Sequence, residues 1–292
     1  MSQVELLRIP TDGATLAVRH YPGGGEPIVL LHGGPGMGDY FDDFPEVLSP
    51  PYQVVSYNQR GCGPSFCGGS FDVDKQVADV DTIRQRLRAN KIHIFGHSWG
   101  GLLGQLYAKA HPERVASLVL CCSMSSTGRR VAALESKCIA ERIIAKGKGR
   151  PLAWAFAGTL MQLPGKPGDL GYGLVMKQLL PHYFVRPDRA RIRYNIHHAS
   201  KAAWRGTNSS VKTLSDDYLD GMSVPAPVLI LQGDRDVIRE TNPLLAARFP
   251  DAANVRVDDA SHFPWVEQPA AVAKVLLDFY STVASATPAR TS

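Results

Sequence analysis

The sequence predicts an α/β fold, a doubly wound and mostly parallel sheet with helices on both faces. Short apolar runs alternate with helical stripes up to about residue 123, and the same alternation resumes near residue 223. Between them lie about a hundred residues with no comparable β-rich run. Strands that are apolar along their whole length suit a sheet buried on both sides. The expected division is therefore a core of residues 1–123 and 223–292, with a helical insertion, 124–222, between the sixth and seventh strands.

The elements follow in order. Residues 14–19 read as a strand, and 27–31 (Pro-Ile-Val-Leu-Leu) as a buried one that runs straight into His32-Gly33-Gly34-Pro35-Gly36. Residues 52–57 form a further strand, ending in Asn58-Gln59-Arg60-Gly61. Val73, Val77, Val80, Ile83 and Leu87 make one helical stripe. A strand at 92–95, a helix at 102–110 and a strand at 115–120 complete the first part. In the insertion, 131–145 and 190–204 read as helices. Strands at 227–231 and 254–257 then alternate with helices at 243–249 and 270–283.

Composition narrows the function classes. The chain has 292 residues, 44% hydrophobic and 20% charged, which fits one large globular unit rather than a disordered chain. No apolar run approaches the ~20 residues of a membrane span, and the first ten residues lack a signal-peptide layout, so a cytoplasmic location is expected. The five cysteines, at 62, 67, 121, 122 and 138, show no metal-ligand spacing and read as free thiols, so no metal site is expected from them. A net charge of +5 is too mild to imply a nucleic-acid partner. A small-molecule substrate is the expected partner, and the oligomeric state stays open. The insertion alone carries 16 Lys and Arg against 7 Asp and Glu, suggesting a cationic lid over a neutral or anionic substrate.

The chemistry sits in Gly96-His97-Ser98-Trp99-Gly100, a G-x-S-x-G segment directly between a strand and a helix. A sharp strand-to-helix turn leaves no room for side chains at Gly96 and Gly100, and it projects Ser98 at the carboxyl end of the sheet. A serine needs a base and an orienting acid. The base expected late in the chain is His262, and the acid is Asp236 or Asp234, with Asp236 favoured and Asp234 read as a turn residue. Oxyanion donors are expected from the amides of Trp99 and of Gly34, with Gly33 as the fallback. Gly33, Trp154, Tyr183 and Trp204 are candidate substrate contacts, and His32 reads as a loop anchor.

The order Ser98, Asp236, His262 on an alternating core resembles the α/β-hydrolase superfamily. His-Gly-Gly-Pro-Gly at 32–36 and Asn-Gln-Arg-Gly-Cys-Gly-Pro-Ser at 58–65 resemble its proline iminopeptidase branch. The resemblance implies an eight-stranded, mostly parallel sheet, a helical cap over Ser98 and catalysis without a cofactor. It also implies cap glutamates that hold a substrate ammonium. Here Asn58 replaces the usual aspartate, and no glutamate occurs between Glu141 and Glu240. The reading that results is a serine hydrolase acting on a small ester, lactone or amide. A proline iminopeptidase-like aminopeptidase is the alternative, and a non-catalytic binding protein is the third reading.

Overall fold

The apolar runs form the middle of a nine-stranded sheet in the computed structural model, which describes residues 4–49, 51–146, 151–189, 192 and 194–286. The strands are β1 (Glu5–Thr11), β2 (Ala14–Tyr21), β3 (Gly24–Leu31), β4 (Tyr52–Asn58), β5 (Phe66–Cys67), β6 (Ile92–His97), β7 (Val115–Cys121), β8 (Val228–Gly233) and β9 (Ala253–Val257). Eight of them run in the order β1-β2-β4-β3-β6-β7-β8-β9, and the two-residue β5 pairs with β2. All pairs from β4 to β9 are parallel, whereas β2 is antiparallel to β1, β4 and β5. β1 was not expected as a strand. It is an edge whose only fully buried residue is Ile9, so it lacks an apolar run, and Pro10 is tolerated because an edge strand leaves one side of its ladder unpaired.

The described residues form ten helices: α1 (Phe44–Leu48), α2 (Val73–Arg86), α3 (Trp99–Ala110), α4 (Gly128–Lys146), α5 (Pro151–Gln162), α6 (Gly165–Leu179), α7 (Lys201–Val211), α8 (Asn242–Arg248), α9 (Pro264–Glu267) and α10 (Pro269–Ala286). The two-residue period of β3 divides the core. Val29 and Leu31 pack with Val77, Val80 and Ile83 of α2 on one face. Ile28 and Leu30 pack with Phe44, Leu276 and Tyr280 on the other. None of these helices is long and apolar enough to cross a membrane.

The helix expected at 190–204 is placed differently. Ile196–His198 is a short 3-10 turn, and α7 begins at Lys201 because the Ser200 side chain caps the amide of Ala203; positions 190, 191 and 193 lie outside the described residues. All five cysteines are free; Cys67 is half-buried and the other four are buried.

The loop after β4 is held by charge. Arg60, 1% exposed, meets Asp79 of α2 through two bonds of 2.7 and 2.8 Å, and its guanidinium also donates to the Ser70, Lys75 and Asp12 carbonyls. Removing one partner leaves the other charge buried and unpaired. Arg60→Ala should therefore lower unfolding free energy by about 3–5 kcal/mol in a urea titration. A loss below about 1 kcal/mol would show that the pair does not anchor this loop.

Candidate active site

Ser98 is the turn between β6 and α3, and its backbone lies at φ 54°, ψ −120°, a strained position for a residue with a side chain. Surrounding bonds hold it there. Its amide donates to the Cys121 carbonyl at 3.1 Å, and its own carbonyl accepts from Gly101 at 3.0 Å and Met124 at 3.0 Å. A Cβ on Gly96 would sit 2.6 Å from the Gly101 Cα. One on Gly100 would collide with the Leu31 carbonyl and lie 2.8 Å from the His32 carbonyl oxygen. The second glycine therefore makes room for the end of β3, and the first for the backbone of Gly100 and Gly101.

His262 follows β9 and Asp236 follows β8; both are buried. Their contact is a 2.7 Å hydrogen bond from His262 Nδ1 to Asp236 Oδ1. That bond holds the proton on Nδ1 and leaves Nε2 as the acceptor. Asp234 faces elsewhere: it accepts from the Ala260 amide at 3.2 Å and pairs with Arg235 at 3.7 Å. Ser98, Trp99, Gly34 and His262 line one cavity of about 580 Å³, together with Tyr183, Trp204, Tyr172 and Glu135. A recess of about 50 Å³ shares Gly34, Ser98, Tyr183 and His262 and reaches Tyr40 and His97.

The 32–36 loop is tied on several sides. His32 Nδ1 donates to the Gly33 carbonyl at 2.9 Å, and its Nε2 accepts the Gln59 amide at 3.1 Å, so the ring is a neutral anchor; burial holds its pKa below the usual value. Gln59 also accepts from the Trp99 indole at 2.9 Å. Tyr172 donates to the Pro35 carbonyl at 2.8 Å, and the Ser200 amide donates to Gly36 at 2.8 Å, joining the loop to α6 and α7. The Gly33 amide is already engaged, donating to the Tyr40 hydroxyl at 2.5 Å. Among the hydrogen bonds described none uses the Gly34 amide, and Trp99, as the first residue of α3, has no intrahelical acceptor for its own.

Sequence reasoning missed a buried relay beside the serine. The His262 carbonyl can only accept, so His97 Nε2 donates to it, at 2.7 Å. Burial pushes the His97 pKa well below its ordinary value, so Nδ1 is a lone pair that accepts the Tyr40 hydroxyl at 2.5 Å. Gly33, Tyr40, His97 and His262 thus form one chain of bonds. His97 stood inside the motif, but Tyr40 is 57 residues away and carried no signal.

One expectation for the insertion needs correction. Trp154 does not line the cavity, whereas Met161 of the same helix does. The two are seven residues apart and share a face, but Trp154 lies about 10 Å further along the axis. Glu135, upstream of the glutamate-free stretch, does line it, so the cavity wall includes an acid as well as Arg205 and Lys212.

One possible metal trio occurs among the described residues. Cys122, Asp236 and His262 bring ligand atoms within 4.8 Å of one another. The Asp236–His262 bond occupies two of them, and burial pushes the Cys122 thiol well above its usual range, away from the thiolate a metal needs.

The chain has the alpha/beta hydrolase fold, and residues 26–137 match the family of that description. Over its whole length it resembles a thermophilic esterase from Thermogutta terrifontis, with a TM-score of 0.67, 22% identity and coverage of 96% of this chain and 99% of that one. It likewise resembles the enol-lactonase from Burkholderia xenovorans, with a TM-score of 0.65, 21% identity and coverage of 94% and 100%. In sequence it is similar to a proline iminopeptidase from Clostridioides difficile, 37% identical over 108 residues. That match covers 35% of this chain, and the chain spans 37% of the relative's length.

Tyr40→Phe strips partners from the Gly33 amide and His97 Nδ1, both buried. Urea unfolding should show a loss of about 2–4 kcal/mol, the cost of two orphaned groups. A loss under about 0.5 kcal/mol would mean that the relay is not rigid.

Proposed function

We propose that the chain is a serine hydrolase that cleaves a small ester, lactone or amide through an acyl-enzyme. The observation that carries this reading is the 2.7 Å Asp236–His262 bond in the wall that also holds Ser98 and two uncommitted amides. His262 Nε2 takes the hydroxyl proton as Ser98 Oγ bonds to the substrate carbonyl carbon. The electron pair moves to the carbonyl oxygen, which the Gly34 and Trp99 amides receive at the positive end of α3. His262 then gives the proton to the leaving group as the tetrahedral species collapses to the acyl-enzyme. Water, deprotonated by the same imidazole, releases the acid and restores Ser98. Buried Asp236 fixes the tautomer and stabilises the imidazolium.

The segment 124–222 acts as a cap in this reading, since α4, α5, α6 and α7 all contribute to the cavity wall. Tyr183 and Trp204 supply its aromatic surface, whereas Gly33 supports Ser98 and the loop through Tyr40 instead of meeting substrate. The free thiols fit a reducing, cytoplasmic setting. An aminopeptidase is the second reading, favoured by the likeness to proline iminopeptidase and by Glu135 in the cavity.

Steady-state assays on a short p-nitrophenyl ester and on proline p-nitroanilide separate the two. The ester should have the higher kcat/KM; a preference for the anilide that vanishes on N-acylation would reverse the order. Ser98→Ala and His262→Ala should each lower kcat/KM by about 10⁴-fold, and Asp236→Asn nearly as much. Asp234→Asn should stay within about threefold of wild type, since it lies outside the relay. The opposite ranking of the two aspartates would reassign the acid.

A further inference from the structure

The composition of α5 is at odds with its place in the fold. Its 12 residues carry no charge, and Thr159 and Gln162 are its polar side chains. A helix that apolar is ordinarily buried all round. Its main neighbour is α6, which approaches so closely that a Cβ on Gly171 would sit 2.6 Å from the Leu160 carbonyl carbon. Ala157, 1% exposed, and Met161, in the cavity wall, mark the covered side. Lys201 holds the far end, its ammonium donating to the Met161 and Leu163 carbonyls at 3.0 and 2.6 Å. The other side is bare. Leu152 is 84% exposed, Phe156 62% and Leu163, just past the helix, 44%. Leu152 and Phe156, four residues apart, lie within about 40° of each other around the axis and form one outward stripe.

The charges flanking this face have one sign. Between Glu141 and Asp169 the sequence has Arg142, Lys146, Lys148, Arg150 and Lys166 and no acid. Together they equal the formal net charge of the whole chain, +5. Lys146, Lys148 and Arg150 stand immediately before α5 in sequence, and the exposed Lys166 follows it. Asp169, the first acid beyond, is committed to the Lys201 amide at 2.7 Å. A second copy docked face to face would bring two such clusters together, which like-charge repulsion opposes. A surface that is anionic at its rim and apolar beneath suits both features, because its headgroups take the cations and its acyl chains the leucine and phenylalanine. An isolated interfacial helix turns a polar face to water, whereas α5 turns that side to α6. With 12 residues it is too short to cross a bilayer, so it lies on the surface.

We propose that α5 and its flanking cations dock the protein on an anionic lipid surface, with Leu152 and Phe156 inserted among the acyl chains and Lys148, Arg150 and Lys166 at the headgroups. The covered side of the same helix reaches the cavity at Met161, so docking sets the cap against the lipid. Vesicle binding is measured without turnover, so the proposal stands or falls apart from the serine-hydrolase reading.

Flotation of the full chain with vesicles is the test. Phosphatidylcholine carrying about 30 mol % phosphatidylserine is compared with phosphatidylcholine alone. Wild type should partition at least about tenfold more strongly onto the anionic vesicles, and the difference should shrink as salt is raised. The double variant Leu152→Ser/Phe156→Ser should weaken partitioning at least about tenfold, through lost apolar burial. Lys148→Gln/Arg150→Gln should weaken it about 25-fold, from about fivefold per cation. Hydrolysis of a soluble ester and thermal unfolding should match wild type in both variants, since these side chains lie outside the active site. No binding to either vesicle, equal binding to both, or wild-type partitioning by the double apolar variant would overturn the proposal. The charge variant and the salt series decide the question even if the double apolar variant fails to fold. Sedimentation of wild type as a dimer that Leu152→Ser/Phe156→Ser dissolves would give the face to a second copy and likewise overturn it.

Discussion

Everything at this site depends on one strained residue. Ser98 occupies a left-handed backbone position that costs about 1–3 kcal/mol for a residue with a Cβ. It persists because neighbours over-determine it. The amide is tied to the end of β7, the carbonyl is shared between the first turn of α3 and Met124, and two glycines leave room for the backbone to pass. The strain is stored where a hydroxyl must stand clear of the sheet with the amides of a helix start behind it. Relaxing the turn to a common conformation would move the hydroxyl off the cavity that His262 and Gly34 line.

Rigidity then spreads outward through hydrogen bonds. The Gly33–Tyr40–His97–His262 chain connects the loop after β3 to the loop after β9, passing behind Ser98. Gln59 links His32 to Trp99, and Arg60 fixes the same segment to α2. Preorganised donors stabilise a developing charge without reorganising at the moment of reaction. A set of four loops could not hold such geometry by apolar packing alone, since packing is non-directional. Buried, neutral histidines at 32 and 97 serve the purpose because each ring both donates and accepts.

Much of this was legible in the sequence. The all-apolar strands declared a sheet buried on both faces, and the G-x-S-x-G segment between strand and helix located the turn. Chain order singled out His262, and the candidate acids were narrowed to two residues apart on one loop. What the sequence hid has physical causes. β1 is an edge strand without an apolar run, and the start of α7 is set by one capping serine that looks like any other. Trp154 has the right chemistry and the right helical phase but lies two turns too far along α5. Tyr40 and Glu135 reach the site through tertiary packing, and no local pattern distinguishes them from a surface tyrosine or a solvated acid.

The most direct test of the central claim is covalent capture with a fluorophosphonate, followed by peptide mapping and by labelling rates in the Asp236→Asn and His262→Ala variants. A single adduct on the peptide that carries Ser98, forming at least about 10²-fold more slowly in either variant, is the expected result. No adduct, an adduct on another residue, or labelling of Ser98 at wild-type speed when the imidazole is gone would contradict it.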